Sequence, residues 1–126
     1  MSIDNLYSGL HHVSLLVTDL ERAGNFYINL LGMVKDNSRP EMAFPGMWLK
    51  IGTQQIHLLC FGKTVTGTGT ENPGRDAHCA LAVSSVSRVK EILEKENIPC
   101  HMSKSGRRAL FCRDPDGNGL EFVEVF

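Results

Sequence analysis

His12-Val-Ser-Leu-Leu-Val17 and His78-Cys-Ala-Leu-Ala-Val83 lie 66 positions apart and read as the same element. Each is a short apolar, strand-like run opened by a histidine, and each is followed at once by a capping residue and a helix-like stretch. Thr18 or Asp19 caps the first helix, in which Leu20, Ala23, Tyr27, Leu30 and Leu31 recur at helical spacing until Gly32 stops it. Ser84 or Ser85 caps the second, with Val86, Val89, Ile92 and Leu93 on one face and Pro99 at its end. A duplicated strand and helix unit is the frame on which the rest of the chain is arranged.

Each half continues with three strands. In the first they fall near 33–39, at Met47 to Ile51 and at Gln54 to Phe61, the last two joined by a tight Gly52-Thr53 turn. In the second they fall near Cys100 to Lys104, at Arg108 to Arg113 and at Leu120 to Phe126. The last pair is joined by Asp114-Pro-Asp-Gly-Asn118, in which every residue has turn chemistry. Both halves read βαβββ, an α+β arrangement of two modules. They span about 8–61 and 77–126, with the Gly- and Thr-rich stretch 62–76 as connector, and together predict a single domain over 1–126.

The bulk properties exclude several classes of function. A chain of 126 residues fits one domain that buries roughly two-thirds of its unfolded surface. Hydrophobic residues at 42% and charged residues at 21% speak against disorder, fibres and coiled coils. A net charge of −1 with scattered Lys and Arg leaves no footprint for nucleic acid or an anionic membrane. No run approaches the ~20 apolar residues that span a bilayer, and the first residues show no basic segment followed by an apolar one, so a soluble cytoplasmic protein is expected. Cys60, Cys79, Cys100 and Cys112 are widely spaced without a C-x-x-C, as buried reduced thiols would be.

Strand alternation sends His12, Ser14 and Leu16 to one face and Val13, Leu15 and Val17 to the other. It likewise groups His78 with Ala80 and Ala82, against Cys79, Leu81 and Val83. The apolar faces should pack on the helices. The histidine faces carry small residues and leave room for a ligand on the hollow side of a curved sheet. Each half also closes on a strand with a ligand-type residue, His57 in the first and Glu121 in the second, 45 residues after His12 and 43 after His78. Three imidazoles and a carboxylate at equivalent points of a repeat suit a borderline divalent metal. His11 points to the opposite strand face, His101 lies in a weak outer strand, and Glu124 is one face away from Glu121. Lys50, Lys104, Arg107, Arg108 and Arg113 read by default as a solvated face. Of the residues near the last strands, Trp48, Lys50 and Arg108 are the candidate substrate contacts, because the hairpin at Gly52-Thr53 places either Trp48 or Lys50 opposite His57.

The chain resembles the vicinal oxygen chelate superfamily, the group of glyoxalases, bleomycin-resistance proteins and extradiol dioxygenases. The resemblance is carried by His12-Val-Ser-Leu-Leu-Val-Thr-Asp-Leu-Glu-Arg22 with Asn25-Phe-Tyr27 and Leu31-Gly-Met33. It continues through Gln55-Ile-His-Leu58, Arg75-Asp-Ala-His-Cys-Ala-Leu-Ala-Val83 and Phe111-Cys-Arg-Asp-Pro-Asp-Gly-Asn-Gly-Leu-Glu-Phe122. It implies two βαβββ modules forming a cupped mixed sheet, with one divalent ion per site (Zn, Ni, Co, Mn or Fe) held by His12, His57, His78 and Glu121. His57 stands where the lactoylglutathione lyase branch usually has Glu, so it is either the fourth ligand or a neighbour that orients bound water. The implied activity is a glyoxalase I-like lyase or isomerase working through a metal-stabilised enediolate, with Glu121 moving the proton, and a homodimer as the usual assembly. Alternatives within the resemblance are an Fe(II) extradiol-type dioxygenase using His12, His78 and Glu121, a thiol transferase acting on a phosphonate antibiotic, and a non-enzymatic small-molecule binding protein of the bleomycin-resistance type.

Overall fold

The computed structural model describes residues 6–61 and 72–125. The first half comprises β1 (His12–Val17), α1 (Leu20–Gly24), a π-helical turn (Asn25–Leu30), β2 (Val34–Lys35), β3 (Gly46–Ile51) and β4 (Gln54–Cys60). The second comprises a 3-10 turn (Pro73–Arg75), β5 (His78–Val83), α2 (Val86–Lys95), β6 (Cys100–Met102), β7 (Ala109–Arg113) and β8 (Gly119–Glu124). They form two mixed four-stranded sheets of matching order, β1-β4-β3-β2 and β5-β8-β7-β6. In each, the first and last strands of the module pair in parallel and the others antiparallel. The α+β architecture of two βαβββ modules is therefore present. The connector assigned to 62–76 lies outside the described residues as far as 71.

Local chemistry explains where the elements begin and end. Of the two residues expected to cap each helix, Asp19 and Ser85 do so, accepting the backbone N–H of Arg22 at 3.0 Å and of Arg88 at 3.2 Å. The first helix departs from expectation by widening after Gly24: Leu31 N–H reaches Phe26 O, five residues back. That looser turn lets consecutive Phe26 and Tyr27 both enter the core, their ring centroids 5.1 Å apart. Gly32, at φ 80°, ends the segment in the left-handed conformation that glycine adopts freely. The second strand is shorter than the 33–39 expected, because the Asp36 carboxylate accepts Ser38 N–H at 2.9 Å and turns the chain, and Pro40 beyond it has no N–H to donate.

The apolar strand faces and both helices share one core, with Val17, Tyr27, Leu49, Ile56 and Leu58 from the first half and Leu81, Leu93, Leu110, Leu120 and Phe122 from the second. A polar clasp also joins the halves. The turn Asp114-Pro-Asp-Gly-Asn118 reaches the end of β1 and the first helix through Asn118 Nδ2 to Leu16 O (2.8 Å), Thr18 Oγ1 to Asp116 (2.6 Å) and Arg22 to Asp116 (2.8 Å). All four cysteines are free thiols, and burial pushes that of Cys112 up to about 12, so it stays protonated and inert. Among the described residues no helix is long and apolar enough to cross a membrane.

Candidate metal centre

The four ligand-type residues arrive as two pairs, one per module. Alternation places His78 and Glu121 on the same face of the second sheet, since β5 pairs with β8 in the register that sets Ala80 beside Glu121. His78 Nε2 lies 3.1 Å from Glu121 Oε1. Glu121 is 4% exposed, and its Oε2 accepts a bond from Arg107 at 2.9 Å. His78 is set from the opposite side: its Nδ1 lies 2.8 Å from the carbonyl of Asp76, and the Asp76 carboxylate is in turn held by buried Arg113. Gly119 completes the support. A Cβ there would stand 3.0 Å from His78 Cβ and 2.7 Å from Pro73 Cβ, so only glycine lets the two strands meet at the histidine.

In the first module, β4 lies between β1 and β3, and the ring of His57 lies between those of its neighbours. His12 stacks on it with centroids 3.9 Å apart and planes 13° from parallel, and Trp48 stacks at 4.2 Å and 6°. The register left open by the sequence is thereby decided: Trp48 stands opposite His57 and Lys50 opposite Gln55. Burial lowers the pKa of His57 from its ordinary 6.5, and the nearby His12, His11 and Arg39 add to the effect. His57 Nε2 bonds Gln55 Oε1 at 2.8 Å, and Gln55 Nε2 donates to Asp36 at 2.6 Å. Ser38, through its hydroxyl and backbone N–H, holds the Asp36 carboxyl below its ordinary range, with Gln55 and Lys50 contributing.

The fit of these side chains to a divalent ion follows from which of their atoms can accept. A carbonyl oxygen only accepts, so His78 Nδ1 carries the hydrogen and a neutral His78 aims the Nε2 lone pair at Glu121 Oε1. Two acceptors at 3.1 Å need a cation, either a proton or a metal, and this donor pair fits a divalent ion. His12 and His57 supply two more imidazoles, but lone pairs in parallel rings do not converge on one ion unless a ring rotates. Among the described residues no three such groups are gathered in one place.

The other residues singled out by sequence divide clearly. His11, on the far strand face by alternation, nevertheless touches the site, with its Nδ1 2.9 Å from His12 Nδ1. Lys50 is exposed on the His57 face. Arg108 is turned toward α2, where it bonds Glu124 at 2.8 Å and Ser87 at 3.3 Å, while Glu124 also accepts Val86 N–H. Its neighbour Arg107 occupies the Glu121 face instead. Asp36, Arg39 and Gln55 had not been expected near the site. Arg39 fits only because Gly46 has no side chain, where a Cβ would lie 2.8 Å from the guanidinium. A cavity of about 680 Å³ opens between the modules, bordered by Val13 and Ile56 on one side and His78 and Leu81 on the other.

Comparison with known proteins agrees with this architecture. The family model for the glyoxalase/bleomycin resistance protein/dioxygenase superfamily matches residues 9–122. Glyoxylase I 4 of Arabidopsis thaliana is 30% identical over 121 residues, covering 90% of this chain and 69% of that protein. The crystal structure of a glyoxalase family protein from Bacillus anthracis superposes with a TM-score of 0.72 at 27% identity, over 97% of this chain and 98% of that one. The same fold, at 19% identity and a TM-score of 0.70, over 95% of this chain and 94% of that one, occurs in a variant of the fosfomycin resistance protein FosX from Listeria monocytogenes, complexed with manganese(II) and a dihydroxypropylphosphonic acid. With two duplicated modules and a family match across nearly its whole length, the chain belongs to the glyoxalase/bleomycin resistance protein/dioxygenase superfamily.

Proposed function

We propose that this chain is a divalent-metal-dependent enzyme of the glyoxalase I type, acting on a small substrate with two vicinal oxygens, and that two copies complete each site as a homodimer. The observation that carries the reading is the opposition, at 3.1 Å, of His78 Nε2 and buried Glu121 Oε1, each held from behind, by Asp76 and by Arg107. His12 and His57 form the complementary pair on the other module. Support also comes from the resemblance to an Arabidopsis protein named as a glyoxylase I, and from the manganese in the complex of a protein with the same fold.

When bound, the ion (zinc, nickel, cobalt, manganese or iron) supplies Lewis-acid stabilisation to charge developing on the substrate's oxygens. Glu121 is the group placed to move a proton, once one of its oxygens is released. Arg107 is the partner able to leave, since its side chain is 59% exposed while that of Glu121 is 5% exposed. In leaving, it becomes available to an anionic group of the substrate, the role first expected of Arg108. Trp48 and Lys50 line the same face as His57. A hemithioacetal of glutathione is the substrate to assay first.

A mixing experiment tests the assembly and the ligand set together. His12→Ala and Glu121→Gln variants each lose metal binding; mixed and allowed to exchange subunits, they form heterodimers with one intact pair of modules across the interface. Recovery of bound cobalt in the mixture is expected. Failure to recover it, with exchange demonstrated by mass, removes the two-copy site, and full occupancy in both single variants removes the metal site altogether.

A further inference from the structure

The hydrogen bonds beneath His57 decide which of its two nitrogens is free. Asp36 is an ionised carboxylate and can only accept. The group of Gln55 that lies 2.6 Å from Asp36 Oδ2 is therefore its NH₂, which fixes the otherwise ambiguous amide. The Gln55 carbonyl oxygen is then the atom 2.8 Å from His57 Nε2, and because it too only accepts, Nε2 must carry the hydrogen. Nδ1 is left with the lone pair.

We propose that Asp36 and Gln55 are positioning residues that hold His57 in the Nε2–H tautomer, so that Nδ1 is the donor atom this ring offers to the bound ion. The tautomer stands on the hydrogen bonds alone, whereas the role of Nδ1 rests on the proposed metal site. Asp36 is itself anchored: its other oxygen accepts Ser38 N–H at 2.9 Å and its own N–H bonds Trp48 O at 2.8 Å, tying it to the strand whose indole stacks on His57. Gln55 is two residues before His57 on β4 and shares its sheet face. With His12 and Trp48 against the two ring faces, His57 meets a ligand only at its edge. A histidine ligand is commonly oriented by a carboxylate or carbonyl on its other nitrogen. Here an amide relays the carboxylate by one step, an arrangement that a Glu at position 57 would not need.

The tautomer is read directly from long-range proton–nitrogen correlation spectra of the ¹⁵N-labelled, metal-free protein at mildly alkaline pH, where imidazoles are neutral. The unaltered protein should show His57 as Nε2–H with that proton protected from solvent exchange. Gln55→Leu should lose the protection, and Gln55→Lys, which puts a donor where the acceptor was, should turn the ring to Nδ1–H. Gln55 is not in the core, and thermal melts verify that both variants fold. An Nδ1–H ring in the unaltered protein, or an unchanged Nε2–H ring in Gln55→Lys, overturns the proposal. Cobalt(II) affinity is the second measurement, expected to fall by about 10–100-fold in Gln55→Leu. Loss of the tautomer with unchanged cobalt affinity confirms the relay while removing His57 from the proposed ligand set, so the two readings fail separately.

Discussion

Tyr27 donates its hydroxyl to Asp114 at 2.6 Å, joining residues 87 positions apart in the buried clasp between the modules. Burial raises the Asp114 pKa, against the bonds it receives from Tyr27, Asn118 and the backbone of Asp116. Burial, with Asp114 alongside, also pushes the Tyr27 hydroxyl well above its usual value. Tyr27→Phe leaves this buried carboxyl short of one donor and should destabilise the protein by about 1–3 kcal/mol. Urea denaturation measures it as a lower midpoint at unchanged slope; an unmoved midpoint removes the clasp from the account of stability.

Gly119 has the tightest surroundings next to a proposed ligand. Gly119→Ala should cost about 1–3 kcal/mol through overpacking and should also weaken metal binding, because the added methyl meets His78 Cβ and Pro73 Cβ. Calorimetric melting and cobalt titration of the same variant check the two effects. A stable variant with full affinity would show that the strands separate there without strain.

About one divalent ion should bind per completed site. His78→Ala and Glu121→Gln should each reduce affinity sharply. His11→Ala should not, although His11 touches His12, because His11 stands at none of the four repeated ligand positions. Metal analysis of untagged protein and of each variant provides the measurement, and a His11→Ala loss equal to that of His78→Ala would redraw the site.

The depressed pKa of His57 has a signed consequence for stability. The unfolded chain takes up the proton near 6.5 while the folded protein still excludes it, so stability falls as pH drops below 6.5 and levels off under the folded value. Above 6.5 this group contributes no pH dependence. His57→Asn should flatten that part of the profile, as measured by chemical denaturation on either side of pH 6.5; an unchanged slope would assign the dependence to other groups.

The frame of the fold was legible because its signals are local. Caps, alternation and turn residues located both modules, and the repeat picked out one ligand-type residue on the first and last strand of each module. What escaped depends on register and on distant contacts. Arg107 shares strand parity with Phe111, which stands opposite Glu121, so alternation points to Arg107 rather than Arg108 once that pairing is known. Gln55 likewise lies two residues from His57 on one face. Asp36 could not have been reached this way, since its approach depends on where β2 ends. The Tyr27 to Asp114 bond spans both modules, and the π-helical turn that delivers Tyr27 has no pattern of its own. The stacking of His12 on His57 is a matter of ring rotation, which no spacing records.

His12 and His78 both lie on strands that end their sheets, β1 and β5. A terminal strand offers a row of backbone donors and acceptors that any extended chain can extend, the usual route to fibre growth. Here the same strands carry His12 and His78, so the polar side chains that blunt these edges are also the proposed metal ligands. A substitution that makes either edge more apolar would therefore remove an edge guard and a proposed ligand together.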